Sequence, residues 1–225
     1  METLNFILAN LPAIGQRTVQ HLSIVGVAVG LAILTGVPIG IAITQNKRAA
    51  DIVLYVASMI MTIPSIALFG VMIPILSQIG QGIGYVPAVI AVLLYSQLPI
   101  IRNTYTAITN VDPALREAAR GMGMSPMQRL SQVELPIAVP VIMAGVRVAV
   151  VINIGITAIA TYIGAGGLGA FISRGISQTD TRQLITGAIA VSLLAIFADY
   201  FLLWVQHKLT PKGLRISPDR LARAT

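Results

Sequence analysis

Residues 112–136 read Asp112-Pro113-Ala114-Leu115-Arg116-Glu117-Ala118-Ala119-Arg120-Gly121-Met122-Gly123-Met124-Ser125-Pro126-Met127-Gln128-Arg129-Leu130-Ser131-Gln132-Val133-Glu134-Leu135-Pro136. This polar string interrupts an otherwise oily chain, and its punctuation describes two short helices. Asp112-Pro113 is an N-cap acid followed by proline at the first helical position, where a missing N–H is harmless. The first helix is predicted to run through Leu115, Glu117 and Ala119 to a glycine stop at Gly121 or Gly123. Ser125-Pro126-Met127-Gln128 then carries a Ser-x-x-Gln capping box for the second. A helix-turn-helix elbow, placed over 109–134, is the result.

The surroundings of the elbow set the fold class. Of the 225 residues 56% are hydrophobic and only 10% charged, too little charge to cover a soluble surface. Crossing about 30 Å of hydrocarbon takes about 20 apolar residues. Five stretches qualify: Leu22–Thr44, Ile52–Leu76, Val86–Ile108, Leu135–Ile163 and Leu184–Val205. Pro64, Pro74, Pro87 and Pro99 are expected to kink or break the second and third. The expected architecture is an all-α polytopic membrane bundle of about five transmembrane helices, one domain over 1–225. Residues 1–20 form an external N-terminal segment and 206–225 a basic tail. Glu2 and a full-length first span argue against a cleaved signal peptide and for an uncleaved anchor.

Orientation follows the basic residues. Lys47, Arg48, Arg102, Arg116, Arg120, Arg129, Lys208, Lys212, Arg215, Arg220 and Arg223 fall on one side, against Arg17, Arg174 and Arg182 on the other. The elbow and the C-terminus are therefore expected in the cytoplasm and the N-terminus outside. The net charge of +7 is then explained by orientation and anionic membrane lipid, with no call for nucleic acid.

The residue types suit a docking element. Alanines beside Glu117 leave a narrow ridge that enters a cleft, glycine permits the sharp turn, and Leu135-Pro136 restarts the chain at the membrane. Glu117 is expected to cap or salt-bridge the elbow, with Arg116, Arg120 and Arg129 in reach. The spacing Glu117-Ala118-Ala119, then Gly123, then Val133-x-Leu135-Pro136 resembles the coupling loop of permease subunits in binding-protein-dependent ABC importers. The likeness extends from about Thr18 to Val205, and Gly164-Ala165-Gly166-Gly167-Leu168-Gly169 adds to it. The permeases it resembles are those of the methionine-uptake type, and more closely the osmoprotectant branch that imports glycine betaine, choline or carnitine. Val133 stands where that pattern favours isoleucine. The resemblance implies ATPase coupling through Asp112, Glu117, Ala118, Ala119, Gly123, Val133, Leu135 and Pro136. It also implies a second permease copy or paralogue, cytoplasmic ATPase subunits that bind ATP and Mg, and an extracytoplasmic substrate-binding protein.

Other motifs carry less. Gly164-x-Gly166-x-x-Gly169 formally matches a dinucleotide fingerprint but follows an apolar helix rather than a strand. It is read instead as a flexible external hairpin, Gly164, Gly166, Gly167 and Gly169 forming a gate or a plain re-entrant turn. No phosphate-binding loop, cofactor motif, catalytic triad or cysteine is present, so neither an ATPase site nor a metal site is expected in this chain. His21 and His207 are read as interfacial residues. Gly145, Ala149, Asn153, Thr157 and Thr161 recur every four residues, as either a helix-packing seam or a wall of the translocation path. Gln97, Asn153, Thr157 and Tyr162 are the path candidates. Arg147 is either a snorkelling anchor or an inner-gate charge, and Asp199 seeks a polar neighbour. Tyr55, Tyr95, Tyr105 and Tyr162 are the aromatic candidates for a quaternary ammonium cage.

An ion-coupled carrier is the runner-up, but only Asp199 is an acid well within a span and no inverted repeat is visible. A permease for another small solute, such as an amino acid, shares the elbow. A membrane enzyme lacks any reactive constellation.

Overall fold

The computed structural model describes residues 2–211, and all of the regular structure there is helical. In chain order the helices are α1 Glu2–Ala9, α2 Leu11–Ala42, α3 Lys47–Thr62, α4 Ser65–Ser77, α5 Tyr85–Thr109, α6 Pro113–Gly121, α7 Pro126–Arg129, α8 Leu135–Ile159, α9 Gly169–Ser177 and α10 Thr181–Leu209. Four runs are long and apolar enough to cross a membrane, and α3 with α4, bent by 98° between them, is apolar enough to count as a fifth, either as one broken span or as a re-entrant loop. The bend is chemical. Proline at 64 disfavours helical torsions at Ile63, which adopts φ −69°, ψ 126°, and the Tyr95 hydroxyl takes up the Ile63 carbonyl. Pro99, by contrast, sits inside an unbroken α5.

Two expected boundaries move. The first span has no break at Leu22, because α2 starts at Leu11 and packs His21 and Ile24 into the core. Hydropathy marks what the bilayer demands, not where the hydrogen-bond ladder stops. At about 1.5 Å per residue, a run from Leu11 to Gln45 exceeds about 30 Å of hydrocarbon, so part of it projects beyond the apolar zone. Residues 2–20 are thus helical apart from a turn at Asn10, and α1 lies against α10.

The second correction is at Leu135-Pro136. The chain does not restart there, since helix continues from Pro126 to Ile163 through a π turn at Leu130–Glu134. The Leu135 N–H reaches back five residues to the Leu130 carbonyl. Pro136 lacks an N–H, and its ring crowds the carbonyl four residues before it; widening the ladder by one residue relieves both.

Helix α5 is the hub of the bundle, touching α2, α3, α4 and α8, with buried residues spread from Pro87 to Ile108 while Arg102 and Thr106 stay exposed. Lipid is as apolar as leucine, so close packing must hold such helices together. A Cβ on Gly145 of α8 would lie 2.6 Å from the Pro99 carbonyl oxygen of α5, and one on Gly40 of α2 would lie 2.6 Å from Thr104 Cβ. Only glycine allows these backbones to approach so closely. Beyond α8 the chain turns through Ala160–Ile163 into α9, and α10 packs on α8 and α9. Of the basic tail over 206–225, residues 206–209 complete α10, and Lys208 sits 5.6 Å above the Trp204 ring. The remainder beyond residue 211 lies outside the described residues.

Candidate functional site

The elbow is built from its caps upward. Asp112 Oδ1 accepts the Ala114 N–H at 2.8 Å and opens α6. At the other end the Met124 N–H bonds Ala119 O at 3.1 Å and the Gly123 N–H bonds Arg120 O at 2.9 Å, with Gly123 at φ +77°. That is the left-handed helix stop, and it selects Gly123 over Gly121 as the terminator. Ser125 and Gln128 close a reciprocal box at 2.8 and 3.3 Å, starting α7. Ala119 is buried, whereas Glu117 and Ala118 are exposed. Around them Leu115, Met122 and Met127 stand 45%, 70% and 72% exposed. The result is a pre-organised ridge with exposed apolar flanks on a polar loop.

The acid that binds the elbow together is not the expected one. Arg116 and Arg129 turn to Glu134, at 3.4 and 2.9 Å from Oε1, rather than to Glu117. Glu134 is buried at the π turn, between half-buried Val133 and Leu135-Pro136, while Glu117 faces outward. The sequence did hold a signal for this. Three arginines in one loop need a carboxylate on the inner face, and the residue before Leu135-Pro136 is the acid nearest the membrane.

At the end of the bundle away from the elbow Gly164, Gly166 and Gly167 take φ +80°, +79° and +81°. The expected flexible hairpin is instead pinned. Gly167 N–H donates to Gln20 Oε1 at 3.2 Å, Leu168 N–H to His21 Nδ1 at 3.3 Å, and Thr161 Oγ1 to Gly166 O at 2.8 Å. A Cβ on Gly169 would fall 2.0 Å from the Ala158 oxygen, so α9 must begin with glycine against α8. His21 is no interfacial residue. It is wholly buried and, with Nδ1 accepting, donates through Nε2 to Ile154 O at 2.9 Å. The first span reaches further out than hydropathy suggested, which carries this ring inside. His207 is exposed in the last turn of α10.

The four-residue stripe on α8 packs against α5. Gly145, Ala149, Asn153 and Thr157 are buried, and Asn153 Nδ2 donates to Ser96 Oγ and to Ala149 O, both at 2.8 Å. Asn153 Oδ1, Thr157 Oγ1 and Gln97 Oε1 keep buried oxygens without a hydrogen bond. Gln97 Nε2 donates to Thr35 Oγ1 of α2 at 2.9 Å. Tyr162, 55% exposed, lines an outer groove with Gly155, Ile159 and Ser192. The four tyrosines do not gather: Tyr95 is buried among Ile24, Phe69 and Val92, Tyr105 packs near Ile43 and Ala50, and Tyr55 is exposed on α3.

Arg147 does not snorkel. It meets Asp199 of α10 through two hydrogen bonds of 2.9 Å, and its Nη1 donates to Gln206 Oε1 at 3.1 Å. The pair lies in a groove lined by Val148, Ile152, Ile196 and Tyr200.

Three comparisons bear on this geometry. The family described as binding-protein-dependent transport system inner membrane component matches residues 32–212. An osmoprotectant import permease protein of Salmonella typhimurium is 55% identical over 96% of this chain and 100% of its own length. A glycine betaine/carnitine/choline transport system permease protein of Bacillus subtilis is 40% identical over 95% of this chain and 96% of its own. A chain of the MetNI methionine ABC transporter in an inward-facing conformation superposes with a TM-score of 0.80 at 23% identity, over 88% of this chain and 96% of that one. At that identity it speaks for the fold alone.

Proposed function

The chain belongs to the family of binding-protein-dependent inner membrane transport components, and we propose that it is the permease of an ABC importer for small quaternary-amine osmoprotectants such as glycine betaine, choline or carnitine. The observation that carries the transport reading is the elbow: a capped, rigid ridge with exposed Leu115, Met122 and Met127, on a bundle whose sequence has no nucleotide cradle. Energy must then come from an ATPase partner that binds ATP and Mg. Its docking surface is Glu117-Ala118 with flanks formed by Asp112, Gly123, Val133, Leu135 and Pro136; buried Ala119 backs the ridge. The choice of substrate class is supported by the near full-length likeness to the two osmoprotectant permeases.

In this reading residues 109–134 are the coupling loop, residues 1–20 and the Gly164–Gly169 turn lie outside, and 206–225 lies in the cytoplasm beside anionic lipid. A second permease subunit completes the path, and an extracytoplasmic binding protein delivers substrate to the outer turn. Gly164, Gly166, Gly167 and Gly169 shape the outer gate. Gln97 and Tyr162 lie near the path, and Asn153 and Thr157 hold the α5–α8 seam behind it.

The test is uptake into proteoliposomes containing the purified permease with its ATPase and binding protein, across a panel of quaternary amines and amino acids. ATP-dependent uptake of a betaine, choline or carnitine is expected. Uptake of amino acids alone would reject the substrate class, and uptake driven by an ion gradient without ATP would reject the transporter class.

A further inference from the structure

Glu134 stands where four segments meet. It ends the π turn at the base of α8, and its side chain is 8% exposed. Its Oε1 accepts from Arg129 Nε, at the end of α7, at 2.9 Å and lies 3.4 Å from Arg116 Nε of α6. Arg116 also donates through Nη2 to the carbonyl of Ile108, in the last turn of α5. One guanidinium therefore joins α5 to the carboxylate, and the carboxylate joins both arms of the elbow to α8.

A buried carboxylate is stable only while its partners stay, so such a cluster moves as a unit or breaks at large cost. The consequence is mechanical. A ridge hinged on loose loops would absorb a push, whereas a ridge tied to the ends of α5 and α8 passes it on. Those two helices share the seam of Gly145, Asn153 and Ser96. The geometry points to Glu134 as the positioning residue that makes α6, α7, the end of α5 and the base of α8 one rigid body, delivering elbow displacement to the α5–α8 seam. This rests on the docking role proposed for the elbow. Glu134 itself is buried, its carboxylate turned to Arg116 and Arg129, so it transmits rather than docks.

The experiment measures substrate transported per ATP hydrolysed in the reconstituted complex, for wild type, Glu134→Gln, Arg116→Lys and Glu117→Lys. The ratio is independent of how much complex survives folding, so a merely structural defect leaves it unchanged. Glu134→Gln should retain the ATPase on co-purification yet lower the ratio at least about fivefold, the lower end of usual coupling energies. Arg116→Lys, which keeps the charge but loses the fork that reaches both Ile108 and Glu134, should lower it in the same direction. It also serves if Glu134→Gln does not insert. An unchanged ratio in the variants that assemble overturns the proposal, and so does loss of ATPase binding by a correctly inserted Glu134→Gln. Failure of the elbow reading looks different: Glu117→Lys would then hold its ATPase as wild type does.

Discussion

Arg147 and Asp199 meet face to face across α8 and α10, Nε donating to one carboxylate oxygen and Nη2 to the other, both at 2.9 Å. At about 1.5 Å per residue, Arg147 lies about 18 Å along the helix from Leu135, deep in the apolar zone. A charge at that depth is tolerated only when paired. Gln206 extends the chain, accepting from Arg147 and donating to the Pro140 carbonyl at 3.0 Å, so the cluster also fastens the C-terminal half of α10 to α8.

Asp199→Ala is therefore expected to lower the melting temperature of the detergent-solubilised permease, at a cost of about 2 kcal/mol. That is below the 3–5 kcal/mol of a fully buried broken pair because the stranded Arg147 keeps its hydrogen bond to Gln206. Arg147→Leu combined with Asp199→Leu should recover most of the loss, since apolar replacement of both partners removes the stranded charge. A double variant no more stable than the worse single one would show that the pair is not what joins the helices.

Orientation is checked by single cysteines, which can be placed freely in a chain that has none. Ser125 and Gln178 are both exposed. An impermeant thiol reagent should label Gln178→Cys in right-side-out vesicles and Ser125→Cys only in inside-out ones. The reverse pattern would put the elbow outside and end its coupling role.

Gly123 holds φ +77° and donates its N–H to Arg120 O. Gly123→Ala should cost about 1 kcal/mol for the left-handed torsion, and Gly123→Pro adds the lost hydrogen bond and should unwind the end of α6. Both changes lie outside the apolar zone. Membrane insertion should stay normal, while ATPase co-purification falls modestly for alanine and is abolished for proline. Full ATPase retention by Gly123→Pro would mean that the elbow need not keep this shape to dock.

Much of the elbow was legible in sequence because caps are local: Asp112, Gly123 and the Ser125–Gln128 box each act within a few residues of themselves. The tertiary partners were not. Glu134 passed unmarked because its value comes from Arg116 and Arg129 folding back on it, and Glu117, the more conspicuous acid, faces away. His21 looked interfacial because hydropathy placed the first span too far along the chain, hiding that Leu168 and Ile154 would enclose the ring. The 98° bend at Pro64 was foreseen as a kink or break, but its angle depends on what α5 offers α3 and α4, including Tyr95. No periodicity encodes that.

The outer turn supplies the last prediction. A Cβ on Gly167 would sit 3.1 Å from His21 Nδ1, and φ is +81° there, so Gly167→Val combines torsional strain with pressure on the ring that receives the Leu168 N–H. Gly166→Val meets only the flexible end of Gln20, at 2.9 Å, with nearly the same torsion. Both should reduce substrate flux strongly while ATPase binding persists, because the turn lies at the opposite end of the bundle from the elbow. Each variant presses on an acceptor of the turn, but Gly167→Val should lower stability by more than Gly166→Val, because the buried His21 ring cannot swing aside as the end of Gln20 can. His21→Ala should lower stability without restoring flux to Gly167→Val. Loss of ATPase assembly in Gly166→Val would recast the turn as a folding element. Unchanged flux in both valine variants would remove it from the transport cycle.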